Sequence, residues 1–295
     1  MSAEAPPEER QAPSRAFHGA TNPDEPYVSV IFPAHNEEEN IAEELRQCAR
    51  AVATTPWKWE FIVVDDGSTD STVEVVSRIR LDGIDVRLLR QATNAGKTMA
   101  LRTGVQAARG SIIAIMDADL QYDARDLVRA VELVHDGWDG VNGWRAHRQD
   151  DWGRRYPSLI FNWLIRLAFH LRIRDANSGL KAFRAEALRR IPLEGDAHRL
   201  LIPLVSAAGF RITEIPVRHY ARPHGTSKYG VLRLVNGTVS VVGLRLIFAL
   251  GWNPNGVIPR AWRFVHYRLW SKIDRSVKLR PAPRVPRLVG AHDEP

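Results

Sequence analysis

From Tyr27 onward, short apolar runs alternate with segments of helical period. Val28 to Phe32 is apolar and largely β-branched or aromatic, is closed by Pro33, and predicts a first strand. Asn36 is placed to cap a helix from Glu37, with Glu39 three residues on as in a capping box. The acidic first turn suits the helix dipole. Phe61 to Val64, Val86 to Leu89 and Ile112 to Met116 predict three more strands. Helices are expected after Asp70, over Ala95 to Ala108 with Gly110 as its stop, and from about Asp123 to His135. Val141 falls in a short fifth strand, and Arg211 to Val217 reads as a later one. This alternation predicts an α/β fold, a mostly parallel sheet with helices on both faces. Ligands bind such sheets beyond the carboxyl ends of the strands. Three polar clusters fall there: Pro33 to Glu37, Asp65-Asp66, and Asp117 to Gln121.

The second half is more apolar. Pro157 to Leu171 is interrupted by Arg166, with Arg172 next to it, and predicts an interfacial or core helix. Leu232 to Trp252 is the longest apolar run, interrupted by Arg233, Asn236 and Arg245. A span needs about 20 mostly apolar residues, and a central Arg costs roughly +2.5 to +3.5 kcal/mol. A helix lying in the membrane interface is therefore expected, with a true span or a self-association helix as alternatives. The chain divides into a Pro-, Glu- and Ala-rich disordered tail (1–26), an α/β domain (27–231), membrane-associated helices (232–278) and a basic, Pro-rich tail (279–295). The first tail has no apolar signal-peptide segment.

Charge and cysteine usage narrow the function. One cysteine, Cys48, excludes an intramolecular disulfide framework and a cysteine-rich zinc site. The net charge of +7 is concentrated between Gly251 and Gly290, where Asp274 is the one acid among nine Lys and Arg. Trp252, Trp262, Tyr267 and Trp270 are interleaved with them. That mixture suits lipid headgroups or single-stranded nucleic acid, or is a solvated basic tail.

Asp117-Ala118-Asp119 directly follows an apolar run. Carboxylate oxygens suit Mg²⁺ or Mn²⁺, which are held by a few carboxylates plus substrate phosphates; a helix cap is the alternative. Asp65 and Asp66 can accept from a base N–H or a ribose hydroxyl, or can simply turn the chain. Lys97, in Asn94-Ala95-Gly96-Lys97, reads as an anion contact, though the spacing is not that of a P-loop. Arg145, Arg148, Arg154 and Arg155 form a basic stretch after the fifth strand. Arg222 to Tyr229, with Ser227 and Lys228, reads as a loop able to close over a diphosphate or as a basic surface loop. Asp175 is a catalytic candidate or a turn cap.

Phe32 to Ile41, Val63 to Ser68, Asn94 to Lys97, Asp117 to Gln121 and Arg222 to Tyr229 occur in an order and spacing that resemble family 2 glycosyltransferases. The likeness is strongest to the dolichyl-phosphate mannosyltransferase and bactoprenol glucosyltransferase group, over about Tyr27 to Phe248. It implies a GT-A fold, a Rossmann-like sheet. It implies that Pro33, Ala34, His35, Glu37, Val64, Asp65 and Asp66 bind the nucleoside of a UDP- or GDP-linked sugar. Asp117, Ala118 and Asp119 would bind the donor diphosphate. Asp117, Asp119 and Gln121 would hold Mg²⁺ or Mn²⁺. Arg222 and Lys228 would contact donor phosphates, and Arg145, with Arg154, Arg155 and Ser227, the acceptor phosphate. His35 stands where the family often has Tyr or Cys. The expected reaction is inverting transfer of a hexose to a polyprenyl phosphate at the cytoplasmic membrane face, by a peripheral or interfacial protein that takes no nucleic acid. The expected catalytic residues are Asp119, Arg145 and Asp175. The alternative acceptor is a saccharide hydroxyl, which needs a base, with Asp175 the candidate.

Overall fold

The computed structural model describes residues 26–146, 162–163, 165–167, 169, 171 and 173–223. Arg148, Arg154, Arg155, Ser227, Lys228, the expected helices of 232–278 and both tails apart from Pro26 lie outside the described residues.

A seven-stranded sheet forms the centre. Its strands are β1 (Val28–Ala34), β2 (Trp59–Asp65), β3 (Asp85–Arg90), β4 (Ile112–Ile115), β5 (Gly140–Arg145), β6 (Lys181–Arg184) and β7 (Ile212–Val217). The order across the sheet is β3-β2-β1-β4-β6-β5-β7. β1 pairs in parallel with β2 and β4, β2 with β3, and β5 with β7. β6 runs antiparallel between β4 and β5. The helices are α1 (Ile41–Val52), α2 (Thr72–Arg78), α3 (Lys97–Ala107), α4 (Ala124–His135), α5 (Ala185–Arg190) and α6 (Ala197–Ala207).

Apolar runs without polar alternation form the central strands because both faces of the sheet are covered. Successive side chains then enter two cores. Val28, Val30 and Phe32 of β1 pack with Leu45 and Cys48 of α1 and Leu127 and Val131 of α4. Ile31 faces the other way and joins Leu101 and Val105 of α3, Leu188 of α5 and Leu201 of α6. This mostly parallel sheet with flanking helices is the GT-A arrangement expected above.

Local boundaries differ in two places. Helix α1 starts at Ile41 with Asn40 at its cap position, four residues later than the expected start at Glu37. Asn36 adopts a left-handed backbone, φ 55°. Its side chain accepts from the Thr69 N–H at 2.8 Å, so it ties the β1 loop to the β2 loop instead of capping a helix. β6, α5 and α6 had no counterpart in the expected elements. In the 162–169 stretch the described residues are helical, with Asn162 and Ile165 buried and Trp163 and Leu167 exposed. Among the described residues, no helix is long and apolar enough to cross a membrane.

Candidate active site

The carboxyl ends of β1, β2, β4 and β5 and the loop before β6 bring together most of the charged side chains singled out in the sequence. Asp65 ends β2 and is fully buried. Its carboxylate accepts from the Ser68 N–H at 3.1 Å. Asp66 accepts from the N–H groups of Ala95 and Gly96 at 2.7 and 2.9 Å, and so fixes the turn leading into α3. Burial raises the Asp66 carboxyl above its ordinary value, against the lowering effect of those two N–H groups. Gly67 is required between these loops. Its φ is +69°, and a Cβ there would lie 2.5 Å from the Asn94 nitrogen. His35 Nδ1 lies 2.9 Å from the Asp66 carbonyl oxygen. Glu37 donates its N–H to Thr72 Oγ1 at 2.8 Å. Pro33 and Val64 are neighbours in the β1–β2 register, as are Ala34 and Asp65.

Beyond β4, Asp117 pairs with the Lys97 ammonium from the first turn of α3. Burial alone would raise the Asp117 carboxyl. The charge and hydrogen bond of Lys97, with Lys181 and Arg145 nearby, outweigh it and hold that carboxyl below its ordinary value. Asp119 is 8 % exposed, and its Oδ2 accepts from Arg222 at 2.9 Å. Arg222 also donates to Glu37 at 3.0 Å, which joins the last described loop to the first. Burial and the charge of Asp117 push the Asp119 carboxyl up to about 6 in spite of Arg222. The second oxygen, Asp119 Oδ1, is buried with no hydrogen-bond partner. The two carboxylates thus sit side by side in different charge environments. Ala118, between them, is buried. Gly179 lies against Asp117, where a Cβ would collide with its carboxylate.

Gln121 donates its side-chain amide hydrogen to the Tyr220 carbonyl at 3.1 Å, and its backbone carbonyl accepts from the Tyr220 N–H at 2.9 Å. It therefore fastens the Asp117 loop to the strand-like segment leading to Arg222. Arg145, the last residue of β5, forms a two-pronged pair with buried Asp175, Nε to Oδ2 at 2.6 Å and Nη2 to Oδ1 at 3.0 Å. Asp175 is in turn built in by its backbone. Its carbonyl accepts from Asn142 at 2.9 Å, and Asn142 also donates to Glu214 on β7 at 2.7 Å. Glu214 accepts from the Arg174 N–H at 2.7 Å.

Five members of this neighbourhood escaped sequence reading: Glu44, Tyr122, Asn142, Lys181 and Glu214. Lys181 is 2 % exposed on β6 and donates to the Ser178 carbonyl. Burial, together with the charge of Lys97, pushes it down to about 7. Tyr122 accepts the Gly179 N–H at 2.6 Å. A signal for Glu44 was present, because it shares the apolar face of α1 with Ile41, Leu45, Cys48 and Val52. Among the described residues, no group of three or more His, Cys, Asp or Glu is arranged to hold a metal ion.

Residues 29–192 match the sequence profile of glycosyl transferase family 2. The chain belongs to that family. Its relatives include the dodecaprenyl-phosphate galacturonate synthase of Rhizobium johnstonii, 37 % identical over 70 % of this chain and 62 % of the relative. They also include an undecaprenyl-phosphate 4-deoxy-4-formamido-L-arabinose transferase of Edwardsiella ictaluri, 32 % identical over 71 % of this chain and 65 % of the relative. The chain thus spans somewhat under two thirds of the length of these two family 2 members. Its fold is shared with glucosyl-3-phosphoglycerate synthase of Mycobacterium tuberculosis, solved with UDP. There the TM-score is 0.56 and the identity 21 %, over 79 % of this chain and 83 % of that one. A mannosyltransferase of Pyrobaculum calidifontis, solved with GDP-Man and Mn²⁺, gives a TM-score of 0.54 at 22 % identity, over 87 % of this chain and 77 % of that one.

Proposed function

We propose that this family 2 member transfers a hexose from a nucleotide-diphosphate sugar to a polyprenyl phosphate at the cytoplasmic surface of the membrane. The observation that carries the reading is the convergence on one sheet edge of Asp117 and Asp119 with the cations Lys97, Arg145 and Arg222. Two phosphate-bearing substrates must approach each other there, and a set of cations around paired carboxylates suits both. Relatives named for dodecaprenyl- and undecaprenyl-phosphate products or acceptors support the same substrate class.

The nucleoside is assigned to the loops after β1 and β2, through Pro33, Ala34, His35, Glu37, Val64, Asp65 and Asp66. Asp117 and Asp119, with the amide oxygen of Gln121, would hold Mg²⁺ or Mn²⁺. The fit rests on their hard oxygen donors and on the partnerless, buried Oδ1 of Asp119. When bound, the ion supplies positive charge to the departing diphosphate. Mn²⁺ accompanies a nucleotide sugar in the Pyrobaculum enzyme.

The acceptor phosphate oxygen attacks the anomeric carbon while the bond to the donor diphosphate breaks, with inversion. Lys97, Arg222 and Lys228 meet the charge growing on the leaving group. Arg145 takes the acceptor phosphate, together with Arg154, Arg155 and Ser227. A phosphate monoester has its second pKa near 6 and is mostly ionised at neutral pH, so no strong base is required. Asp175 then acts as the clamp that aims Arg145. Both its oxygens accept from that guanidinium, so its carboxylate is committed to holding Arg145. Exposed Trp163 and Leu167, one helical turn apart beside exposed Arg166, suit a helix lying in the lipid headgroup region.

The test follows radiolabelled sugar from UDP- and GDP-linked donors into a butanol-extractable lipid. Label entering that phase only when a polyprenyl phosphate is added supports the reading. Equal turnover without any lipid phosphate contradicts it.

A further inference from the structure

We infer that Glu44, on α1 and outside every motif named so far, is the positioning residue of the Asp117–Asp119 loop. Glu44 is 1 % exposed. Its Oε2 accepts the Leu120 N–H at 2.8 Å, across 76 residues of sequence. Leu120 stands next to Asp119 and has φ 59°. A branched side chain rarely takes that left-handed backbone unless something outside the loop holds it there. Glu44 supplies the holding contact, and the turn at Leu120 sets how Asp119 faces Asp117. The other oxygen of Glu44 lies 3.7 Å from Cys48 Sγ, which itself lies 3.6 Å from Met116 Sδ just before the loop. Helix α1 therefore braces both ends of the turn, at Met116 and at Leu120.

The surroundings fit such a role. Glu44 feels the charges of Asp119 and Asp117, and burial, the larger cause, pushes its carboxyl up to about 8. A largely protonated acid holds the loop without adding a third negative charge to those of Asp117 and Asp119. A glutamine, whose amide oxygen can also accept from Leu120, is accordingly the conservative replacement.

This inference rests on the reading of the loop as the cation and diphosphate site. The experiment measures binding of UDP and of GDP to the full chain by calorimetry, with and without Mn²⁺, alongside thermal melting. Glu44→Gln keeps Mn²⁺-dependent affinity within about threefold of wild type, while Glu44→Leu weakens it by about tenfold or more. Metal-free nucleotide binding stays the same in both. Adding Leu120→Gly to Glu44→Leu restores part of the lost affinity, because glycine keeps a left-handed backbone without an outside acceptor. A filled or emptied core alone would show no such rescue. If Glu44→Leu fails to fold, Glu44→Asp carries the test, since it shortens the reach by one methylene. It is expected to show the same loss, smaller in size. A variant with lower melting temperature but wild-type Mn²⁺-dependent affinity, or a defect untouched by Leu120→Gly, overturns the inference. Wild-type protein that binds neither nucleotide in a Mn²⁺-dependent way overturns the reading of the loop as well.

Discussion

Asp65-Asp66 after β2 and Asp117-Asp119 after β4 are reached by the same sequence device, an apolar strand that stops at paired carboxylates. Their partners differ. Asp66 accepts from two backbone N–H groups and Asp65 from a third, so these acids hold loops in place. Asp117 and Asp119 are met by the charged ends of long side chains, Lys97 and Arg222, and one Asp119 oxygen has no hydrogen-bond partner among the described residues. Backbone partners are fixed by the fold, whereas an ammonium or guanidinium can be exchanged for a substrate group. On the proposed reading, the first pair shapes the nucleoside surface and the second serves the chemistry.

The sharpest way to break that contrast is to neutralise one acid of each pair. Asp119→Asn is expected to lower sugar transfer by about 10²–10³-fold, as loss of one preorganised charge-stabilising group does, with unchanged or raised melting temperature. An activity loss that merely follows unfolding would erase the distinction. Asp66→Ala should do the reverse in character. It strands the Ala95 and Gly96 N–H groups and costs about 2–3 kcal/mol of stability, read from the denaturant midpoint. A silent Asp66→Ala would mean that this acid is not structural.

Asp175→Asn probes a third arrangement, an acid held for another residue. Freed from its two-pronged partner, Arg145 should bind the acceptor less well. The KM for polyprenyl phosphate should rise about tenfold, with the donor KM unchanged. A collapse of kcat alone would favour Asp175 as a base and a hydroxyl acceptor. A further test is a pH slope. Glu44 titrates near 8 in the folded protein against an ordinary 4.5. Between those values the folded state keeps a proton that the unfolded state has lost. The stability Glu44 contributes is therefore full below pH 4.5 and is lost as pH rises through about 8. Glu44→Gln removes the slope, so its stability relative to wild type should improve by roughly 3 kcal/mol from pH 5 to 8. Parallel stability curves for the two proteins would contradict the assignment.

The central strands were legible because two-sided burial leaves continuous apolar runs, and the motifs were legible because each follows such a run. β6 was not. It is four residues long and begins with a buried Lys181, which breaks the apolar signature. Helix α6 carries Pro203 in its interior, which reads locally as a breaker. In the site, residue types predicted where the acids and cations stand but not which of them pair. Whether Asp175 faces a substrate or clamps Arg145 depends on β5 and the loop before β6 meeting in space. Glu44 lies on a helix face that looks like ordinary core, and only the left-handed turn at Leu120 gives it a task.

The most direct measurement is a matrix of UDP- and GDP-sugars against polyprenyl phosphate and a saccharide acceptor, with and without Mn²⁺, for wild type and Asp119→Asn. One donor is expected to yield labelled lipid only with polyprenyl phosphate and the cation, and Asp119→Asn to lower that yield by about 10²–10³-fold. Product formed on the saccharide hydroxyl, or lipid product formed equally by Asp119→Asn, would contradict that expectation.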